Sequence, residues 1–226
     1  MNEKSFLDDL FDDEPEVKEE KPEKKTKKEL PDQGGVKVFL SHRMGLRNEA
    51  RKVRSEQAIE AELNWHFKDG DSYHCFSFGD VDSLTYFKMV LRQQHIKFAF
   101  ISTWCMAGED VNDLRKWYRR GMIDRVDFYV GEIFRGSYSD VYNEVQKFIK
   151  EENGRMVTFK NYSKVMAIKG DKFDCLIESS ANVNTNPRSE NTVLTVDTEL
   201  VNWYINLFAD IKPFNDDFGA EPYRVN

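Results

Sequence analysis

Two short polar segments in the C-terminal half of the chain hold side chains that suit phosphate chemistry. The first contains Lys164, whose ammonium group can bind a phosphate oxygen. The second contains Ser180 and Asn182, which can hydrogen-bond the same phosphate or Lys164. Arg188 and Glu190 follow, and their charges predict an ion pair that braces this loop. Simpler explanations stay open, because strand-end lysines are commonly solvated and Ser and Asn readily form turns.

The elements that must position these segments alternate between strands and helices. Apolar patterns predict strands at 36–40, 73–78, 97–103, 125–130, 156–159, 164–168 and 173–178. They predict helices at 48–67, 84–91, 110–120, 138–150 and 199–209. Asp82 or Ser83 is expected to cap the second helix, and Gly121 to end the third. This alternation predicts an α/β fold with a parallel or mixed sheet and helices on its faces.

Composition limits the class of protein. The 226 residues carry a formal net charge of −7. Residues 1–35 hold 12 acidic side chains and 7 lysines, a net charge of −5, so residues 36–226 carry only −2. The three cysteines are scattered and show no metal-ligand spacing, which predicts buried thiols, no metal site and no cofactor. No apolar run is long enough for a membrane span, and the acidic N-terminus is unlike a signal peptide.

The acidic N-terminal segment contains one amphipathic island. Residues 1–35 are predicted to be a disordered tail, because Glu, Lys, Asp and Pro dominate it. Within residues 5–13, four apolar side chains fall on one side of a short helix: Phe6, Leu7, Leu10 and Phe11. This pattern predicts a peptide that docks into a groove on a partner protein. The alternative is a solubilising tail whose apolar residues are incidental.

Basic residues form two clusters that could contact a nucleic-acid backbone. The first has helical spacing and comprises Arg43, Arg47, Arg51, Lys52 and Arg54. The second surrounds Trp117 and comprises Arg115, Lys116, Arg119 and Arg120. Such clusters attract phosphates without reading base sequence. The alternative is an ordinary solvated face, because Glu49, Glu56 and Asp113 lie among them.

From Ser77 to about Phe208 the chain resembles phage-type proteins with a phospholipase D-like domain. One anchor is the strand end Ile101-Ser102-Thr103-Trp104. Another is the segment from Ser180 to Glu190, which matches Ser-x-Asn-x-Asn-x-Asn-Pro-Arg-x-Glu at every named position. Lys164 and Asn182 are separated by 18 positions, as the family layout expects. The resemblance implies one phospholipase D-like half at 71–212, preceded by an extension at 36–70 and followed by a tail at 213–226.

The resemblance also implies a phosphodiesterase site that lacks its nucleophile. In the superfamily two His-x-Lys motifs face each other, one histidine attacks phosphorus, and the lysines hold the phosphate oxygens. A chain with one motif must dimerise to complete such a site. Here Tyr162 occupies the histidine position, and a phenol is a poor nucleophile near neutral pH. None of the four histidines, His42, His66, His74 and His95, falls in a motif.

Three functions therefore follow from the sequence. The first is a catalytically inactive phospholipase D-like protein that binds nucleic acid or its phosphates as a homodimer in the cytoplasm of a bacterial host. The second is an active phosphodiesterase or nuclease that uses Tyr162 as an atypical nucleophile. The third is a non-enzymatic adaptor or virion-associated protein recruited through its N-terminal peptide.

Overall fold

A single mixed sheet organises the chain in the computed structural model, which describes residues 59, 67–77, 81–184, 188–214 and 217–226. The strands are β1 (Ser72–Ser77), β2 (Ile96–Thr103), β3 (Val126–Gly131), β4 (Gly154–Phe159), β5 (Val165–Gly170), β6 (Asp174–Ser179), β7 (Glu190–Val196) and β8 (Asp217–Gly219). The helices are α1 (Ser83–Leu91), α2 (Gly108–Arg119), α3 (Phe134–Ser137), α4 (Ser139–Glu151) and α5 (Thr198–Ala209). The predicted α/β fold is confirmed.

The strand order brings many chain ends to one edge of the sheet. Across the sheet the strands run β1-β7-β6-β5-β2-β3-β4-β8. Strands β2, β3 and β4 are parallel, and the other neighbouring pairs are antiparallel. The carboxyl ends of β2, β3, β4 and β6 therefore lie at the same edge as the amino ends of β5 and β7. We call this the site edge.

Alternating side chains give each face of the sheet its own apolar core. On one face, Ile101 of β2 belongs to a cluster with Phe87 of α1 and Phe148 of α4. On the other face, Phe100 of β2 packs with Phe208 of α5, and their ring centroids are 4.3 Å apart. We call the first face, which also packs against α2 and α3, the four-helix face. We call the second the α5 face. Burial on both faces explains why the central strands read as continuous apolar runs.

The local start and stop signals act as the sequence predicts. Asp82 is the N-cap of α1, and its carboxylate accepts hydrogen bonds from the Thr85 backbone N–H at 2.9 Å and the Thr85 hydroxyl at 3.1 Å. Gly121 follows the end of α2 with a φ of 67°, a left-handed conformation that glycine adopts without strain.

The structure also corrects the predicted element list. Strands β7 and β8 and helix α3 were not predicted, and β7 matters most because it opens with Glu190 at the site edge. The alternation of Thr192, Leu194 and Val196, all buried, was the signal for this strand. On α5, Trp203 is 58% exposed, while Ile205 is buried.

Some predictions fall outside the described residues. These are the acidic tail at 1–35, the docking peptide with Phe6, Leu7, Leu10 and Phe11, the strand at 36–40, and all but two residues of the helix at 48–67. The first basic cluster, Arg43, Arg47, Arg51, Lys52 and Arg54, lies outside them too. The domain boundaries stay predictions.

Candidate functional site

The two polar segments meet at the site edge. Lys164 immediately precedes β5, Ser180 immediately follows β6, and Glu190 opens β7. The Ser179 backbone N–H donates to the Lys164 carbonyl at 2.9 Å, and the Ser180 N–H donates to the Asn191 carbonyl at 2.9 Å. Main-chain pairing across β5, β6 and β7 therefore holds the predicted site residues side by side.

Asn161 anchors the loop that carries Tyr162 and Lys164. Its side chain is only 5% exposed, and its amide donates to the Ser102 hydroxyl and to the Tyr129 carbonyl, both at 2.9 Å. Its amide oxygen accepts from the Ser163 N–H at 2.8 Å and the Ser163 hydroxyl at 2.7 Å. No role was predicted for Asn161 from the sequence. In the structure it joins the ends of β2 and β3 to the loop.

A serine pair adds a second connection between the loop and β2. The hydroxyl oxygens of Ser102 and Ser163 are 2.6 Å apart, and Ser102 is buried at the end of the strand. Both residues also hydrogen-bond Asn161. A hydroxyl pair shared with a buried amide restricts the loop to one geometry, because each group satisfies its neighbours. Sequence reasoning missed this pair.

Lys164 is positioned as a partly desolvated cation. Its ammonium nitrogen donates to the Tyr162 carbonyl at 2.7 Å and lies 3.4 Å from the centroid of the Tyr162 ring. Burial lowers the pKa of Lys164, while the nearby Cys105 and Glu190 act in the opposite direction. A cation whose hydration is incomplete gains more from a bound anion than a fully solvated one does.

Tyr162 is 74% exposed, more than any other exposed large hydrophobic side chain among the described residues. Its ring contacts the half-buried Trp104 at a centroid distance of 5.9 Å and a tilt of 58°. Within the described part of the chain, its hydroxyl has no hydrogen-bond partner that could accept its proton. Lys164 contacts the face of the ring and not the hydroxyl. Among the described residues, the hydroxyl therefore has no general base that could take its proton.

Cys105 lies beneath the lysine and was not predicted as a site residue. It is 3% exposed, and burial raises the pKa of its thiol, against the effects of a hydrogen bond from Tyr138 and the charge of Lys164. A buried thiol of this kind stays protonated and acts as a small apolar contact. It therefore offers no thiolate for nucleophilic chemistry.

Glu190 has a different partner from the predicted one. Its carboxylate accepts a hydrogen bond from the Ser180 hydroxyl, and the same hydroxyl accepts from the Asn191 N–H at 3.0 Å. Arg188 is exposed, and although the structure describes both residues, no ion pair joins it to Glu190. The loop is therefore braced by Ser180 and Glu190 across the start of β7.

Asn182 occupies the loop between β6 and β7. The amide oxygen of Asn182 is buried and has no hydrogen-bond partner within the described part of the chain. Its neighbour Val183 is fixed to β2, because the Val183 N–H donates to the Thr103 hydroxyl at 3.2 Å and its carbonyl accepts from the Ala107 N–H at 3.1 Å. The backbone of the Ser-x-Asn segment is therefore held close to the end of β2.

The second basic cluster is partly neutralised. The Arg115 guanidinium bonds the Glu144 carboxylate at 3.2 Å, and Arg119 pairs with Glu151 at 3.1 Å and Glu152 at 3.0 Å. Glu144 and Glu151 belong to α4, and Glu152 directly follows it. The cluster therefore connects α2 to α4. Pairing reduces the positive charge that Arg115 and Arg119 can offer to a phosphate.

The described histidines do not complete the site. His95 precedes β2 and contacts Asp124 at 3.0 Å and Asp171 at 3.5 Å. It lies at the opposite edge of the sheet, roughly 26 Å from Thr103 at about 3.3 Å per residue. His74 lies in the middle of β1, where it pairs with Val193 of β7. It is on the opposite face of the sheet from its neighbour Cys75, which belongs to the core of the four-helix face. His42 and His66 lie outside the described residues.

The described residues contain neither a metal-binding cluster nor a membrane-spanning helix. There, no group of three or more His, Cys, Asp or Glu side chains is arranged to hold a metal ion. None of the helices described is long and apolar enough to cross a bilayer.

Comparisons with known proteins place this fold beside phospholipase D-like structures. No family model matches the chain, and no curated protein matches it. The chain is similar to Nuc from Salmonella typhimurium, a phospholipase D family member, at 14% identity and a TM-score of 0.48, covering 67% of this chain and 100% of that one. It is also similar to NucT from Helicobacter pylori, at 16% identity and a TM-score of 0.45, covering 61% and 94%.

A third similar structure is TrmBL2, an archaeal chromatin protein described as showing a novel mode of DNA binding. Its identity is 13% and its TM-score 0.42, with 71% of this chain and 59% of that one covered. At these identities and scores, none of the three similarities identifies an activity for this chain.

Proposed function

We propose that this protein binds the phosphate groups of nucleic acid at the site edge and does not cleave them. The observation that carries the proposal is the position of Lys164. Its ammonium group is half-buried beside exposed Tyr162, and it is held by a carbonyl and a ring face rather than by a carboxylate at hydrogen-bonding distance. A phosphate oxygen can replace the Tyr162 carbonyl as its acceptor, which exchanges a neutral partner for a charge-assisted hydrogen bond.

The loss of turnover follows from the surroundings of Tyr162. Nucleophilic attack on phosphorus needs a group that loses its proton readily and a base that takes it. Within the described residues the Tyr162 hydroxyl has no base, and neither His74 nor His95 lies at the site edge. An anion can therefore bind here without meeting an activated nucleophile.

Homodimerisation and a phage-type origin belong to the same proposal and are supported by the sequence resemblance. The motif with Lys164 occurs once in the chain. A pairing of two chains around a twofold axis would bring two copies of Lys164 to one phosphodiester. Sedimentation equilibrium tests this part, and a monomer at all concentrations that support nucleic-acid binding would contradict it.

The experiment that tests binding compares wild type with Lys164→Met on labelled DNA and RNA across a salt series. We expect weaker binding and a salt slope reduced by about 0.7 to 0.9 for each phosphate that the variant no longer neutralises. Lys172→Met is the matched control, because Lys172 is an exposed lysine in the turn between β5 and β6, at the opposite edge. Equal affinity of wild type and Lys164→Met, or no binding at low salt, would contradict the proposal.

A cleavage assay separates this proposal from an active nuclease. Wild type, Tyr162→Phe and Tyr162→His are incubated with the same substrates. We expect no products from wild type or Tyr162→Phe. Cleavage by wild type that Tyr162→Phe abolishes would instead establish tyrosine as the nucleophile.

A further inference from the structure

A row of aromatic rings runs from the core to the solvent at the site edge. Phe134 is fully buried and contacts Tyr138 at 5.8 Å, Tyr138 contacts Trp104 at 6.3 Å, and Trp104 contacts Tyr162 at 5.9 Å. Exposure rises along the row, since Tyr138 and Trp104 are half-buried and Tyr162 is 74% exposed. We call Tyr138, Trp104 and Tyr162 the aromatic row.

The outermost ring is held on a rigid support. The residues on both sides of Tyr162 are fixed, because Asn161 and Ser163 share hydrogen bonds with each other and with Ser102. Lys164 covers one face of the ring at 3.4 Å. An aromatic side chain held in this way loses little conformational entropy when a flat ligand stacks on its other face.

Glycine at the end of β3 makes room for the row. A Cβ on Gly131 would lie 3.1 Å from Cδ1 of Trp104 and 3.2 Å from the Asn161 carbonyl oxygen. A larger residue at position 131 would therefore crowd Trp104 and require it to shift by a few tenths of an ångström. The indole is wedged between β3 and the exposed ring of Tyr162.

The geometry points to single-stranded nucleic acid as the ligand: we propose that an unpaired base stacks on Tyr162 while the adjoining phosphate contacts Lys164. This inference rests on the proposed function, because it uses the same lysine for the phosphate. Every base has a π-face, so a ring support of this kind is tolerant of base sequence. Bases within a duplex are stacked on both faces, and exposing one costs a few kcal/mol.

The site edge carries little net positive charge around Tyr162. Lys160 lies at the start of the same loop, but its ammonium group is 5.7 Å from the ring centroid of Phe214, so Lys164 is the cation beside Tyr162. Glu190, whose carboxylate accepts a hydrogen bond from the Ser180 hydroxyl, adds a negative charge at the start of β7 on the same edge. A site with so few cations derives less of its affinity from charge than a basic groove, so stacking must contribute a substantial share.

The test uses fluorescence anisotropy with the full chain and three labelled probes of equal length: oligothymidylate, the corresponding duplex, and a single strand of abasic residues. We expect wild type to bind oligothymidylate more tightly than the other two. Tyr162→Ala should weaken oligothymidylate binding by about 5- to 150-fold, the range for removing one stack between a base and an aromatic ring. Tyr162→Phe should bind like wild type, and abasic binding should be the same for all three proteins.

The matched control is Trp203→Ala, which removes an aromatic side chain of comparable exposure, 58%, from the α5 face. Circular dichroism melts confirm that each variant is folded. Equal binding of oligothymidylate by wild type and Tyr162→Ala, or tighter binding of the duplex by wild type, would overturn the stacking inference. If Lys164→Met still weakens binding in that case, the proposed function stands without it. No binding of any probe by wild type would refute both.

Discussion

Replacing Asn161 by alanine should destabilise the fold and disorganise the candidate site together. The side chain makes four hydrogen bonds no longer than 2.9 Å, to Ser102, Tyr129 and twice to Ser163. Each such bond contributes about 1 kcal/mol net, and a buried carbonyl left without its donor costs about 1–3 kcal/mol. The bond between the hydroxyls of Ser102 and Ser163 can persist and offset part of this loss. We therefore expect the free energy of unfolding to fall by about 2–4 kcal/mol.

Urea denaturation followed by circular dichroism measures this change. The midpoint should fall while the slope m stays constant, because the surface exposed on unfolding is unchanged. A loss of about 3 kcal/mol lowers Tm by roughly 6–12 °C in a domain of this size. Asn191→Ala is the matched control: Asn191 lies at the same edge, is exposed, and has hydrogen bonds only through its backbone. A loss below about 1 kcal/mol for Asn161→Ala, or an equal loss for Asn191→Ala, would refute the reasoning.

Three further predictions concern the charge and the shape of the site. Burial lowers the pKa of Lys164, so its cation, present below that pKa, should be lost on alkaline titration before that of an exposed lysine, and phosphate affinity should fall over that range. Lys164→Arg, which stays protonated, should remove the dependence, and a flat wild-type profile would contradict this prediction. Glu190→Gln keeps an acceptor for Ser180 but removes a negative charge near the lysine, so a phosphate titration should show roughly two- to fivefold tighter binding; weaker binding would argue against it. Gly131→Ala should cost about 1 kcal/mol in urea denaturation and weaken oligothymidylate binding, because its Cβ would press on Trp104, whereas Gly136→Ala, with nothing within 4 Å, should leave single-strand binding unchanged.

Local features of the fold could be predicted from the chain alone because short-range physics determines them. The carboxylate of Asp82 caps α1, and Gly121 ends the following helical segment in a left-handed conformation. Both effects need only a few neighbouring residues. The central strands could also be recognised from their apolar runs, because burial on both faces favours apolar residues at every position.

Long-range partners could not be predicted, because they depend on which strand ends meet. Arg115 and Arg119 read as a basic surface in the sequence, but their acidic partners lie on and beside α4, about 30 positions further along the chain. Glu190 was expected to pair with Arg188, and its carboxylate instead accepts a hydrogen bond from Ser180 across the start of β7. Strand β7 was missed because its alternating pattern follows directly on a polar loop.

The sequence by itself determined the inventory of the site: a lysine, a tyrosine two positions before it, and a Ser-x-Asn segment whose asparagine lies 18 positions beyond Lys164. Only the tertiary structure decided how these groups are used. The order of the strands buries Asn161 beneath the loop, brings Glu190 to the same edge as Lys164, and leaves the ring of Tyr162 in solvent. Side-chain identity fixes which interactions are available, whereas distance and desolvation select among them, and both arise only when distant segments pack together.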